Sequence, residues 1–257
     1  MNSCLEALFS VGRKAAEGAA ELLYPSDLYC LCCGDSMENT RIHGICDVCA
    51  AKIDWDLDDP FVHMKDAFAF DAVYPCCRYG FWPRQILSGF KLSGRPYAAR
   101  DLGRLLAERL ALEDIRYDLL TEVPVHKEKR RRRGFNQSEL MAEYACRELG
   151  AEHLKGVLIK TKSTASMRLS DGSARRHMLE DSFAVCPDKA ARIRGADIIL
   201  VDDVVTTGST ADACAAVLKA AGAKSVRVLC FAAASAPQYL WEDEPQESGL
   251  DGQDKNE

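Results

Sequence analysis

One run of residues, from Ile198 to Thr210, constrains the fold of this chain more than any other. It begins with an uninterrupted apolar segment, which is typical of a parallel strand buried on both faces of a sheet. Two carboxylates follow, at Asp202 and Asp203, and then a short loop that is rich in hydroxyl groups. The Ala-rich stretch 211–221 predicts a helix that ends at Gly222. The run therefore predicts a strand, a loop and a helix in immediate succession.

The loop of this unit is suited to bind a phosphate group. Backbone N–H groups at the start of a helix point outward and carry partial positive charge, and side-chain hydroxyls add further donors. The two carboxylates can accept hydrogen bonds from a vicinal diol, so phosphate and diol together indicate a ribose 5-phosphate. The residues that we expect to contact this ligand are Asp202, Asp203, Thr206, Thr207, Gly208, Ser209 and Thr210.

This motif resembles the signature of type I phosphoribosyltransferases, which bind 5-phosphoribosyl 1-pyrophosphate (PRPP). The resemblance implies that the acidic pair holds the ribose hydroxyls and that the loop holds the 5-phosphate. The alternative is a Rossmann-like strand and helix with an incidental acidic edge, but such a unit needs neither the second Asp nor four hydroxyls. Successive strand residues point to opposite faces, so one of the two carboxylates would make most of the contacts with the ribose. The sequence leaves open whether this is Asp202 or Asp203.

The spacing of the cysteines near the amino terminus is the second constraint. Two C-x-x-C pairs flank a polar stretch of hairpin length, and their members are Cys30, Cys33, Cys46 and Cys49. Four thiolates in this arrangement can close a tetrahedron around Zn²⁺, so we expect a structural zinc ribbon without an open coordination position. Unliganded thiols or a redox pair are the alternatives. Cys32 or His43 could also replace one of the four ligands.

Between these two features the chain alternates strand-like and helix-like segments. Such alternation predicts βαβ units around a parallel sheet, and therefore an α/β fold. Ligands of open α/β sheets bind beyond the carboxyl ends of the strands, which is where Asp202 and Asp203 are expected. Besides the run from Ile198, the predicted strands cover 71–79, 118–123, 154–160 and 225–234, and the predicted helices cover 97–112, 138–149 and 211–221.

A strongly basic segment, Lys127–Arg133, follows the second predicted strand and contains six cations. We expect it to form a loop. Guanidinium groups are suited to bidentate contact with phosphate oxygens, so this loop could neutralise a pyrophosphate leaving group. A solvated charged surface is the alternative. His126, beside the loop, is either a general base or a surface residue.

The order of four motifs resembles that of the ComF family, over about residues 25 to 235. The motifs are the cysteine ribbon, Lys91-Leu92-Ser93-Gly94-Arg95, Val123-Pro124-Val125 with the later Arg133-Gly134-Phe135-Asn136-Gln137, and the acidic run with its loop. The resemblance implies a type I phosphoribosyltransferase fold with an amino-terminal zinc ribbon. It also implies PRPP as ligand together with Mg²⁺, and an association with natural competence, the uptake and processing of single-stranded DNA.

The same resemblance assigns further site residues. Pro124 and Val125 would shape the pyrophosphate loop, and Arg133 would belong to the basic element. Independently of the resemblance, Lys91 is either a phosphate contact or a solvated helix end. The stretch 161–183 occupies the place of the mobile lid of related transferases. Its arginines are Arg168, Arg175 and Arg176, and Met167 stands where the family usually carries Gln.

Composition and hydropathy define the setting. The domains that we expect are a helical segment (1–24), the zinc ribbon (25–60), a phosphoribosyltransferase-like domain (61–240) and a disordered acidic tail (241–257). A net charge of −6 argues against wholesale binding of nucleic acid, although local basic patches can still bind it. No segment reads as a signal peptide or a bilayer span, which predicts a cytoplasmic protein without membrane insertion.

Two classes of function agree with these features. The first is a phosphoribosyltransferase that displaces pyrophosphate at the anomeric carbon with a nitrogen nucleophile, and no residue is assigned as its catalytic base. The second is a non-catalytic competence accessory protein that binds single-stranded DNA or a helicase partner and keeps the sugar pocket as a sensor or relic. A metal-stabilised interaction protein without a ligand is a third possibility.

Overall fold

The structure is a computed structural model that describes residues 28–37, 42–92, 97–161 and 182–234. Several predicted segments lie outside the described residues. They are the amino-terminal helical segment, Ser93-Gly94-Arg95, residues 162–181 of the proposed lid with Met167 and its three arginines, and the acidic tail.

Six strands form two sheets. They are β1 (Ala72–Arg78), β2 (Leu119–Glu122), β3 (Leu158–Lys160), β4 (Phe183–Val185), β5 (Asp197–Val205) and β6 (Ser225–Ala233). The main sheet is parallel throughout, in the order β1-β6-β5-β2, whereas β3 and β4 form an antiparallel pair. The two central strands are almost entirely buried because they are apolar toward both faces. This sheet confirms the predicted α/β class.

Seven α-helices connect or flank these strands within the described residues. They are α1 (Asp47–Ala50), α2 (Phe81–Leu92), α3 (Ala98–Ala111), α4 (Lys127–Arg133), α5 (Gln137–Leu149), α6 (Ala190–Ile193) and α7 (Ser209–Ala220). Two 3₁₀ helices cover Val62–Ala67 and Pro187–Lys189. Helices α3 and α5 approach closely at Gly103, where an added Cβ would lie 2.5 Å from Tyr144 Cβ.

The residue alternation of β5 separates two apolar cores, one on each face of the sheet. Ile199 and Val201 belong to the core that also contains the buried residues of α2, α3 and α5, whereas Ile198 and Leu200 belong to the core beneath α7. The cysteine-rich segment contributes Leu31, Ile45 and Ile53 to the first core, which also contains buried residues of α2 and α3. These three side chains are at most 6% exposed. It therefore shares its core with the larger domain.

The predicted strands and helices named above are present, with shifts of one to four residues at their ends. One expectation was wrong, because Lys127–Arg133 forms helix α4 instead of a loop. The side chain of His126 accepts a hydrogen bond from the N–H of Glu128, and Gly134 ends the helix with a φ of 83°. Lys, Arg and Glu also have high helix propensities, which the interpretation of this segment as a charged loop left out of account.

Within the described ranges, no helix combines the length and the hydropathy needed to cross a membrane.

Candidate functional site

The two carboxylates at the end of β5 lie at the carboxyl edge of the sheet, and both residues are only 9% exposed. Their partners differ, as the alternation of a strand requires. Asp203 Oδ2 lies 2.5 Å from Lys91 Nζ at the end of α2. Asp202 Oδ1 accepts hydrogen bonds from Ser138 Oγ at 3.1 Å and from the N–H of Asp203 at 2.8 Å. Ser138 belongs to the first turn of α5, so three elements meet at this pair.

Burial strongly affects the ionisation of Asp202. Desolvation, followed by the negative charge of Asp203, raises the pKa of Asp202 from 3.8 to about 7. The N–H of Asp203, the ammonium of Lys91 and the hydroxyl of Ser138 favour the charged form but offset only part of this effect. Near neutral pH, Asp202 can therefore either accept or donate a hydrogen bond.

The loop between β5 and α7 forms the rest of a concave site. Gly208 adopts a φ of 74° as the residue before the helix, and its carbonyl accepts from the N–H of Asp212 at 2.8 Å. Thr207 Oγ1 and Ser209 Oγ lie 2.9 Å apart. A small cavity of about 40 Å³ is lined by Asp202, Val204, Val205, Thr206, Thr207, Gly208, Ser209, Thr210 and Ala211. Asp202 and the five predicted loop residues thus come together, while Asp203 contacts Lys91 beside them.

The segment Phe68–Phe70, which the sequence analysis did not single out, packs against the outer side of this loop. The ring of Phe68 lies so close to Gly208 that an added Cβ would meet its Cε1 at 3.0 Å. Phe68 stacks on Phe70 with ring centroids 4.7 Å apart, and the N–H of Ala69 donates to Asp212 Oδ1 at 2.6 Å. This segment and the loop are more than 130 residues apart in the chain, so no local pattern identifies it.

The turn after β2 lies at the same edge of the sheet, because β2 pairs in parallel with β5. Pro124 and Val125 are half-buried there. Asn136 Nδ2 donates to the carbonyl of Val123 at 3.0 Å, which ties this turn to the start of α5. Arg133 Nη1 donates to Gln137 Oε1 at 3.1 Å and is not among the residues that line the cavity. Within this motif, Asn136 therefore holds the turn in place.

Lys160, at the end of β3, is a second feature that the sequence did not single out. Its ammonium lies 4.9 Å from the ring centroid of Phe183 on β4. Burial and then the positive charge of Lys129 lower the pKa of Lys160, whereas the negative charge of Asp202 opposes this. Lys160 therefore interacts electrostatically with both helix α4 and the acidic pair.

The four predicted cysteine ligands converge, and their sulfur atoms all lie within 4.8 Å of one another. The sulfurs of Cys33 and Cys46 are 3.9 Å apart, close to the edge of about 3.8 Å in a tetrahedral zinc–thiolate site. Burial disfavours the thiolate of Cys30, but N–H donors from Cys46, Cys33 and Cys32 outweigh it and lower the pKa of Cys30 to about 7. The donor set fits Zn²⁺ and is consistent with a zinc ribbon.

The two residues that could have replaced a ligand have other contacts. Cys32 Sγ lies 4.0 Å from the carbonyl oxygen of Trp82 on α2. His43 Nε2 lies 2.8 Å from Glu108 Oε1 on α3. Both residues face the larger domain, and neither belongs to the group of four converging sulfurs.

Residues 136–249 match the family model described as "Phosphoribosyl transferase domain". This match covers less than half of the chain, and within it the chain is similar to a phosphoribosyl transferase domain. This domain contains α5, the acidic pair, the loop and α7, and it confirms the type I phosphoribosyltransferase fold that the sequence motif implied.

The chain is similar to two curated relatives whose names refer to DNA utilization and to competence. "DNA utilization protein YhgH" of Escherichia coli O157:H7 is 34% identical over 114 residues, which cover 44% of this chain and 48% of the relative. "Competence protein F" of Haemophilus influenzae is 28% identical over 150 residues, which cover 56% of this chain and 64% of the relative. The chain is homologous to both, although it spans only about half the length of the YhgH proteins.

Among solved structures, the chain is similar to the glutamine PRPP amidotransferase from B. subtilis complexed with ADP and GMP. The identity is 22%, the similarity covers 52% of this chain and 26% of that chain, and the TM-score is 0.36.

We expect the cysteine cluster to bind one equivalent of zinc. Cys33→Ser should reduce the zinc content of purified protein to well below half an equivalent, because it removes one of four thiolates. Cys32→Ser is the matched control and should leave the content unchanged, since its sulfur lies against Trp82. Inductively coupled plasma mass spectrometry provides the measurement. Equal zinc loss in both variants would contradict the assigned ligand set.

Asp202→Asn should stabilise the fold at pH 8 but not at pH 4. The folded-state pKa of about 7 lies above the ordinary value of 3.8, so ionising Asp202 destabilises the folded chain. This cost is absent below pH 3.8, grows as the pH rises to about 7 and is complete above it. The variant should therefore gain about 2–4 kcal/mol in the free energy of unfolding at pH 8.

Urea denaturation at pH 4, 6 and 8 measures this difference. Asp188→Asn, at an exposed position, is the control and should follow the parent protein at every pH. A gain for Asp202→Asn that is the same at pH 4 and pH 8 would show that the burial of the charge is not its cause.

Proposed function

We propose that this chain binds PRPP at the carboxyl edge of its parallel sheet and supports transfer of the phosphoribosyl group. The observation that carries the proposal is the single cavity that joins buried Asp202 to the loop Thr206–Thr210. The carboxylate can accept hydrogen bonds from the ribose hydroxyls, and the N–H and O–H groups of the loop can donate hydrogen bonds to the phosphate. The two parts of the cavity therefore complement the two ends of a ribose 5-phosphate.

The loop would hold the 5-phosphate. Helix α7 begins directly after Gly208. The N–H groups of its first three residues have no partner within the helix and would point toward the ligand. The hydroxyls of Thr207 and Ser209, which are 2.9 Å apart, can both turn toward phosphate oxygens. Phe68 and Asp212 hold the loop from behind, so little ordering of the loop is needed on binding.

The acidic pair would hold the ribose hydroxyls. Asp202 lines the cavity and would contact the sugar directly, whereas Asp203 is already paired with Lys91. We therefore propose that Lys91 orients the Asp203 carboxylate and balances its charge, a role that differs from both alternatives that the sequence left open for this lysine. Ser138 orients the Asp202 carboxylate in the same way.

The pyrophosphate would extend toward the turn at Pro124 and Val125 and toward Lys160. Lys160 interacts with Asp202 through its charge, and helix α4 with its arginines follows that turn. Bound Mg²⁺ would supply charge neutralisation on the pyrophosphate oxygens. The oxygen donors of the acidic pair suit this ion, although Lys91 already neutralises Asp203.

In the reaction, a nitrogen nucleophile forms a bond to the anomeric carbon while the carbon–oxygen bond to pyrophosphate breaks. Pyrophosphate leaves with the bonding electron pair, and the nucleophile loses a proton to solvent or to a base that this proposal does not assign. The transition state has oxocarbenium character, so the residues act by orienting the sugar and stabilising charge.

Isothermal titration of the chain with PRPP and Mg²⁺ should show saturable binding. In the double variant Asp202→Asn/Asp203→Asn the affinity should fall by about 10- to 100-fold, because hydrogen bonds to charged acceptors are lost. Asp188→Asn serves as a control that keeps the parent affinity. No binding by the parent chain, or equal binding by the double variant, would refute the proposed pocket. Pyrophosphate release with a panel of nitrogen acceptors then separates transfer from binding alone.

A second candidate function is binding of single-stranded DNA. It is favoured by helix α4, whose seven residues include six cations and none of which is buried, and by the names of the DNA-utilization and competence relatives. A polyanion would contact such a helix through counterion release. A contact between the ribbon and a helicase partner stays a prediction, as does a cytoplasmic location.

Arg131→Gln/Arg132→Gln should weaken binding of a single-stranded oligonucleotide. Each lost phosphate contact should lower the slope of log K against log salt by about 0.7. Fluorescence anisotropy at several salt concentrations measures both quantities. Lys224→Gln is the control, since this exposed lysine lies at the opposite edge of the sheet. An unchanged slope in the double variant would remove α4 from consideration as the DNA contact.

A further inference from the structure

Helix α4 presents an exposed cationic surface. It carries six cations and one acid, and no residue in it is buried. Arg130 pairs with Glu139 at 2.7 Å. Lys127, Arg131 and Arg132 are exposed and form no ion pair with the part of the chain that the structure describes. Four successive arginines repel one another, so an anionic partner would stabilise this helix.

The carboxyl-terminal segment of the same chain has the opposite charge. Residues 235–257 contain seven acidic residues and a single lysine, which amounts to the whole formal net charge of −6. Four of the acids lie close together, at Glu242, Asp243, Glu244 and Glu247.

The fold brings the start of this segment near α4. Strand β6 ends at Ala233, and the N–H of Ala234 donates to the carbonyl of Val205, so the chain leaves β6 at the carboxyl edge of the sheet. Helix α4 follows β2 at that same edge, with only β5 between the two strands. Two strand spacings amount to about 10 Å.

The length of the segment is sufficient for contact. Glu242 comes seven positions after Ser235, and an extended chain of seven steps spans up to about 24 Å. The helix itself is about 10 Å long. The acids at 242–247 can therefore reach every exposed cation of α4 without any rearrangement of the sheet.

We propose that the acidic segment 242–247 docks intramolecularly on the cationic face of α4 and competes there with polyanionic ligands. The contact itself follows from charge and reach alone. Its consequence for PRPP rests on the proposed function, because Lys129 of α4 interacts electrostatically with Lys160 beside Asp202. Occupation of α4 by the segment would lower the positive potential that an incoming pyrophosphate or DNA strand meets.

Zero-length carbodiimide cross-linking of the full chain tests the contact. Mass spectrometry should find amide links from Lys127 or Lys129 to the acids at 242–247, and 0.5 M NaCl should abolish them. Lys224, at the opposite edge of the sheet, should give no such links. A mixture of ¹⁴N- and ¹⁵N-labelled chains identifies the donor of each link. Links that join only chains of different label, or that involve Lys224 as often as α4, would overturn the proposal.

A charge-neutral variant of the segment tests the competition. Glu242→Gln/Asp243→Asn/Glu244→Gln/Glu247→Gln should increase the affinity for a heparin oligosaccharide at least threefold at low salt. The same change in an Arg131→Gln/Arg132→Gln background should have a much smaller effect, since the docking surface is then absent. Equal gains in both backgrounds would overturn the proposal. Both measurements are independent of PRPP, so they can succeed where the proposed pocket fails, and fail where it succeeds.

Discussion

The burial of two adjacent carboxylates at the end of the most apolar strand is the constraint on which the rest of the site depends. β5 carries Asp202 and Asp203 to the sheet edge with little exposure to water. Unpaired carboxylates in such a position are costly, so each needs a dedicated partner. Lys91 comes from α2, Ser138 from α5 and an N–H from β5 itself. The positions of two helices are thus linked to the chemistry of one strand end.

Desolvation leaves Asp202 less acidic than an ordinary aspartate, which separates the functions of the two carboxylates. Asp203 has a cation beside it, whereas Asp202 faces the cavity. Adjacent residues of one strand thereby acquire different electrostatic roles because the strand alternates its faces. The carboxylate whose ionisation is disfavoured by burial is thus the one that lines the cavity.

The features predicted from sequence were those encoded locally. The apolar run, the acidic pair, the hydroxyl-rich loop and the Ala-rich helix follow one another within about 25 residues, and the cysteine pairs carry their own spacing. Their convergence in the structure agrees with that reading. Helix α4 was mistaken for a loop because its formation depends on flanking residues, the cap at His126 and the left-handed Gly134.

The partners of the site were beyond prediction for a different reason. Lys91 and Asp203 are 112 positions apart, and Phe68 is still more distant from Gly208. The sequence marked Lys91 as a candidate site residue but did not indicate its partner, and a phenylalanine in a connecting segment has no local feature that distinguishes it. Only the strand order and the packing of α2 show which of many such residues reach the site.

The shared core of the cysteine ribbon and helix α2 connects two parts of the molecule that have different chemistry. Ile45 and Ile53 of the ribbon belong to the same buried cluster as Ile86 and Phe90 of α2, and α2 ends near Lys91. The cysteine ribbon therefore packs on the same helix that positions the counterion of Asp203. Loss of the ribbon's fold would leave apolar residues of α2 without part of their packing partners, so the placement of Lys91 depends on residues far outside the acidic pair.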